Sequence, residues 1–315
     1  MKFKKPLFWD FSKPNLFAYL LFPLTIPIRI NNLLLKYKKK INLLKTFTIC
    51  VGNIYVGGTG KTQTSIKLFR ILTKNKLKVA VGKKEYFDHK DEQILLKKNT
   101  NLITAYSRER ILEKIKGNLD VLIFDDGLQD KKITYDLKFV CFDSFNWVGN
   151  GFLIPAGPLR ENISSLKNYD GVFLKNITNF KSPIIKIIKE NNSKIKIFFS
   201  EYKISNIKNF DLNDNYLIFS GIGNPSDFKN LLIKNKFNIT HEVIFPDHFN
   251  YKTNDINKIK KLAKKLNSKI VTTEKDFVKL SKKDKKIIKF IKIDIAIKNE
   301  KNLLHFIQKK LNEKI

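Results

Sequence analysis

Lys61 and Thr62, placed directly behind Gly57-Gly58-Thr59-Gly60, are the residues whose types and spacing speak most directly of chemistry. Glycines let the backbone turn its N–H groups toward an anion without Cβ interference. A following lysine supplies a mobile cation for β/γ-phosphates, and a hydroxyl can ligate Mg²⁺. Tyr55 stands where the strict G-x-x-x-x-G-K-[ST] pattern has its first glycine, so the motif is met only in part. An ordinary strand-to-helix turn explains Gly57 and Gly58. It does not explain Lys61-Thr62, because the positive end of a helix disfavours a cation.

Asp125 and Asp126 close the apolar run DVLIFDDG. In an open parallel sheet the ligand crevice lies beyond the carboxyl ends of the strands, where a Walker-B-type aspartate holds Mg²⁺ against the phosphates. Asp91 and Glu92 precede an apolar run in DHKDEQILL and by themselves read as charges at a helix start. His248 follows Asp247 in IFPDHFNY, a pairing that by itself reads as a solvated turn.

Positioning these groups calls for alternating strands and helices. The strand entering the glycines continues into a helix to about Leu72. Strands follow at Val79 to Val81, Asp120 to Asp126, Leu137 to Asp143 and Tyr169 to Leu174, with a helix from Ser107 to Lys116. The stretch NWVGNGFLIPAGPLRE is too rich in Gly and Pro for regular structure, and a long irregular segment in a compact domain is usually a functional loop. DNYLIFSGIGNPSDF repeats the strand, glycine turn and helix without GK-[ST]. KIVTTEKDFVKL is a strand opening into a polar turn and helix, and an amphipathic helix follows Asn299. The expected fold class is α/β, a P-loop NTPase-like parallel sheet with helices on both faces plus a smaller second α/β domain. The expected boundaries are 1–40 for an N-terminal segment, 41–204 for the phosphate-loop domain and 205–315 for the second domain.

At 315 residues and 43% hydrophobic content the chain can bury a sizeable core. Its 61 Lys+Arg against 29 Asp+Glu give a net charge of +32, which favours anionic partners: nucleotide, nucleic acid, phosphorylated metabolite or an anionic membrane face. Lysines spread among abundant Asn and Ile make compositional bias an equal explanation. Cys50 and Cys141, each inside an apolar run, read as buried thiols and not as a disulfide or metal framework. Near the N-terminus Phe8, Trp9, Phe11, Phe17, Tyr19 and Phe22 lie among flanking lysines. Pro23 and Pro27 are expected to break the apolar run short of a membrane span, and no signal-peptide cleavage site follows. Two readings stay open: a segment lying in a membrane interface, or a first core helix.

VGNIYVGGTGKT, DDGLQ, GNGFLIPAGPLRE, FPDH and TTEKD, in that order and spacing, resemble the tetraacyldisaccharide 4'-kinase family of lipid A biosynthesis. The resemblance implies transfer of the ATP γ-phosphoryl group to the 4'-hydroxyl of an acylated disaccharide phosphate. It implies ATP and Mg²⁺ as cofactors and a peripheral or monotopic location on the cytoplasmic face of a bacterial inner membrane. No nucleic acid and no obligate protein partner are expected. By the same resemblance Gly57, Gly58, Thr59, Gly60, Lys61 and Thr62 bind the nucleotide, and Thr62, Asp125 and Asp126 hold the metal. Gln129, Arg160 and Glu161 fall on active-site loop motifs, and Arg110 on a D-R site. Asp91 and His248 are matched to the catalytic base, the second domain bringing His248 to a site built by the first. Asp130 replaces the family's His, Gln63 its Pro, KDEQ its G-D-E-P, DHF its D-H-H, and GKKEYF its S-R-G-Y-G segment.

Two other classes compete. A phosphate-loop GTPase or ATPase switch, or a metal-insertion protein, usually needs a guanine-reading N/T-K-x-D, from which TEKD at Thr273 to Asp276 departs by a Glu one residue before K-D. A nucleic-acid-binding protein would suit the charge, but the aromatics gather at the N-terminus and no aromatic-basic motif recurs.

Overall fold

The computed structural model describes residues 5–34, 41, 45–85, 90–115, 119–177 and 182–314. Its strands are β1 (Phe47–Gly52), β2 (Val79–Lys84), β3 (Leu102–Ala105), β4 (Val121–Asp125), β5 (Leu137–Asp143), β6 (Gly171–Lys175), β7 (Lys196–Ile204), β8 (Asn215–Ser220), β9 (Asn238–Ile244), β10 (Lys269–Thr273), β11 (Lys289–Ile291) and β12 (Ile293–Ile297). They form an eight-stranded sheet in the order β12-β7-β6-β5-β1-β4-β2-β3 and a four-stranded sheet in the order β11-β10-β8-β9. β1 pairs in parallel with both β4 and β5: the connection from β1 leads to β2 on one side, and that from β4 crosses to β5 on the other. Such a switch point is where an open α/β sheet takes its ligand. Every residue of β1 and β4 is buried, which requires layers on both sheet faces and accounts for their unbroken apolar runs.

The chain divides into two compact units that are interleaved in sequence. One holds residues 99–201 together with the described parts of 3–85 and 297–314; the other holds 202–296 with 90–98. Contiguous domains at 41–204 and 205–315 are therefore not what the chain builds. Two excursions make the difference. The C-terminal helix Glu300–Asn312 belongs to the first unit, where Leu303 and Ile307 are buried, Phe306 meets Phe139 and Phe198, and Glu300 pairs with Lys67 at 2.7 Å. The helix Lys90–Asn99 lies largely in the second, held there by Lys98 to Glu274 at 2.8 Å and by charges on Asp91.

The N-terminal segment runs helical from Leu16 to Leu34, Phe22–Thr25 being a 3₁₀ turn between two α-helices. Pro23 sits in that tighter turn, so the expected break is absorbed. These 19 residues are long and apolar enough to cross a membrane by length and composition. One side packs on the first unit: Trp9 Nε1–H donates to the Pro155 carbonyl at 3.0 Å, the rings of Tyr19 (edge-on) and Phe22 (tilted) meet Phe152, and Ala18 and Thr25 are buried. Leu16 and Leu20 remain 81% and 74% exposed. Cys50 and Cys141 are free and buried, burial pushing each thiol up to about 12.

Candidate active site

The turn after β1 places the phosphate loop at the switch point. Gly60 has φ 87°, a left-handed backbone that glycine adopts without strain, and caps the helix Lys61–Lys74. Lys61 Nζ donates to Asn53 Oδ1 at 3.0 Å and lies 3.6 Å from Asp126. The hydroxyls of Thr62 and Ser65 donate to Asp125 at 3.2 and 3.0 Å. Thr59 Oγ1 is buried without a hydrogen-bond partner among the described residues, as a phosphate-facing hydroxyl would be. Tyr55, in place of the first Walker glycine, is buried. Its ring lies 3.2 Å from where a Cβ on Gly57 would stand, and its hydroxyl donates to Asp10 at 2.5 Å.

The Gly/Pro-rich segment pairs with this loop as an extra strand would. Val56 N donates to Pro158 O at 2.8 Å and Arg160 N to Ile54 O at 2.7 Å, which fixes Arg160 beside the carboxylates. Arg160 donates to Asp126 and to Gln129, both at 3.3 Å. Gln129 donates to Asn53 O and Glu161, and Glu161 also accepts from Lys131 and Tyr169. Burial pushes the Asp126 carboxyl up, but Lys61, Arg160, Lys83 and Arg108 outweigh it and bring it to about 2. Lys61, Thr62, Asp125, Asp126, Gln129, Arg160 and Glu161 thus form one network. Arg110 does not join it: it is exposed and pairs with Glu113 one turn on. The inward arginine is Arg108, buried, bonded to the Asp126 carbonyl and, at 3.1 Å, to Asp130.

In the other unit, β8, β9 and β10 end at the turn carrying His248. Gly221 allows that approach, since a Cβ there would stand 3.0 Å from the Pro246 carbonyl. His248 takes φ 55°, and its Nδ1 lies 3.0 and 3.1 Å from the Asp91 oxygens. An ionised carboxylate can only accept, so Nδ1–H is the donor, and Nε2 is the ring nitrogen turned away from Asp91. Lys275 approaches Nε2 at 3.4 Å, and Lys279 lies 3.2 Å from Asp91. Burial of Asp91 pushes its carboxyl up, yet the His248 hydrogen bond, Lys275 and Lys279 together hold it well below the usual carboxylate range.

The family profile described as tetraacyldisaccharide-1-P 4'-kinase matches residues 17–312. The tetraacyldisaccharide 4'-kinase of Pelagibacter ubique is 46% identical over 315 residues, spanning 100% of both chains. The chain belongs to the tetraacyldisaccharide 4'-kinase family. The enzyme of that name from Rickettsia akari is 34% identical over 98% of each chain. A solved structure, LpxK from Aquifex aeolicus in complex with ATP, is similar at a TM-score of 0.64 and 21% identity over 94% of this chain and 97% of that one, and shares the fold.

Within this 4'-kinase family chain, TEKD is not a guanine reader. Asp276 is fully buried and accepts from Gly221 N, Thr273 Oγ1 and Lys279, while Thr273 caps the short helix Glu274–Phe277. The turn instead delivers Lys275 and Lys279 to Asp91. Sequence reasoning passed over both lysines, as it did Asn53, Ser65, Arg108 and Lys83. Asn53 and Ser65 flank the motif closely enough to have been suspected. Lys83 ends an apolar strand, where a lysine has little reason to be unless something anionic waits across the sheet.

Proposed function

We propose that this 4'-kinase transfers the γ-phosphoryl group of ATP to the 4'-hydroxyl of a tetraacyldisaccharide 1-phosphate, with Asp91 and His248 taking the hydroxyl proton. The observation that carries the reading is the Asp91–His248 hydrogen bond at 3.0 Å, which holds the imidazole by Nδ1 and leaves Nε2 as the ring nitrogen turned away from the carboxylate. As the hydroxyl oxygen bonds to the γ-phosphorus and the bond to the bridging oxygen breaks, ADP departs and the proton passes to Nε2. Asp91 stabilises the imidazolium that results. Lys61 and Arg160, both within 4 Å of Asp126, are cations suited to the transferring charge.

The donor set suits Mg²⁺, which takes hard oxygens from one or two carboxylates and completes its shell with phosphate and water. Thr62 and Asp126, with Asp125 behind them, would hold it, and it would supply charge neutralisation on the phosphates. A cavity of about 570 Å³ in the same unit is bounded by Arg29, Asn32 and Leu33 of the N-terminal helix and by Lys131, Glu161 and Tyr169. Its mixture of cations, carboxylate and aliphatic wall suits an acylated sugar phosphate. The exposed apolar side of Leu16 to Leu34 suits the cytoplasmic face of an anionic membrane, where such a substrate resides.

The test combines purified protein, ATP with Mg²⁺ and a tetraacyldisaccharide 1-phosphate, read by mass spectrometry. One added phosphate at the 4' position is expected. Nucleotide hydrolysis specific to GTP, with no phosphorylated lipid, would overturn the reading.

A further inference from the structure

Lys83 is a charged group at the phosphate site for which the proposed phosphoryl transfer has no use. It lies on β2, whose Gly82 is in register with Phe124 of β4, so Lys83 comes level with Asp125. Its Nζ stands 2.6 Å from Asp125 Oδ2, the two side chains being 4% and 0% exposed. The same oxygen accepts from Thr62 Oγ1 at 3.2 Å, and Oδ1 accepts from Ser65 at 3.0 Å. Asp125 therefore has both oxygens engaged by protein donors, one of them a full positive charge. A buried ammonium persists only with such a partner. Neighbouring Asp126 is compensated as well, by Lys61 at 3.6 Å and Arg160 at 3.3 Å.

A divalent ion approaching this carboxylate pair without nucleotide meets charges already balanced, and an ammonium on the carboxylate that stands directly behind Thr62. A triphosphate reverses that balance by adding negative charge next to Thr62. We propose that Lys83 is a resident cation at Asp125 that makes divalent-ion binding conditional on nucleotide. Asp125 then acts as the anchor for Thr62 and Ser65, and Lys83 is a positioning residue for the metal-nucleotide site. The inference rests on the nucleotide-site reading above and concerns the order in which that site fills.

Mn²⁺ followed by electron paramagnetic resonance tests it on the full chain. Without nucleotide, the wild type should show no saturable Mn²⁺ binding below about 1 mM, and should gain it with a non-hydrolysable ATP analogue. Lys83→Met and Lys83→Gln, the second keeping a neutral donor to Asp125, should bind Mn²⁺ without nucleotide at least about tenfold more tightly, since a like charge has gone. Lys83→Arg should behave as the wild type. A loss of fold cannot produce such a gain. Unchanged Mn²⁺ affinity in a folded Met or Gln variant overturns the proposal, as does saturable binding to the wild type below that concentration without nucleotide. Saturable wild-type binding without nucleotide overturns the proposal even if both neutral variants fail to fold, and folded Lys83→Arg, which keeps the charge, must then match the wild type. Failure of the wild type to bind the analogue with Mg²⁺ would instead sink the nucleotide-site reading.

Discussion

His248 Nδ1 lies 3.0 and 3.1 Å from the two oxygens of Asp91, although 157 positions separate them in sequence. Both belong to the same compact unit, because the helix Lys90–Asn99 leaves the unit of its neighbours to pack with residues 202–296.

If this pair accepts the hydroxyl proton, Asp91→Ala and His248→Ala should each lower kcat by about 10²–10⁴-fold while leaving ATP affinity nearly intact. Residues that act as a unit are non-additive, so the double variant should be little worse than the worse single one. Steady-state kinetics beside ATP-binding titrations check both points. Two losses that multiply would argue against cooperation.

Lys61 bridges Asn53 and Asp126 at the head of the helix Lys61–Lys74. Removing its ammonium should cost transfer at least about 10²-fold, as loss of a preorganised charge at a transferring group does. The fold should survive, which urea unfolding and circular dichroism would establish. Near-normal turnover in folded Lys61→Ala would remove the residue from the chemistry.

Asp126 is brought down to about 2 by Lys61, Arg160, Lys83 and Arg108 against the opposing effect of burial. A carboxyl depressed in the folded state contributes stability that is complete above its unfolded value, near 4, and is lost as pH falls through the folded value. Asp126→Asn should therefore be less stable than wild type by about 2 kcal/mol at neutral pH. The difference should shrink between about pH 4 and pH 2. Urea midpoints of the two proteins across that range give the comparison; a difference that grows on acidification would contradict the sign.

Leu20 and Leu24 are exposed on the N-terminal helix, opposite the side that carries buried Ala18 and Thr25. Leu20→Glu with Leu24→Glu should leave thermal stability within about 0.5 kcal/mol, the usual range for exposed sites. It should release the protein from anionic liposomes in a flotation assay. Retained binding would place the membrane contact elsewhere.

Much of the nucleotide side was legible in the chain itself, because its signals are local. Strand, glycines, Lys61 and Thr62 follow one another, and Asp125 with Asp126 close an apolar run whose burial on two faces demands a central parallel strand. Even Gln129, Arg160 and Glu161 came through motifs that stay short and contiguous. Non-local pairing decided the rest. Arg108 and not Arg110 turns inward because helical spacing aims residues two apart in different directions, and only the packed helix Arg108–Lys114 shows which side is buried. Lys83 meets Asp125 through the β4–β2 register, which no single strand contains. The segment 90–98 and the final helix Glu300–Asn312 changed units because their buried faces and charged partners lie on elements far along the chain. Asp91 and His248 each read alone as ordinary surface charge; burial of the carboxylate against His248, Lys275 and Lys279 is a property of the folded unit, which no local stretch of sequence contains.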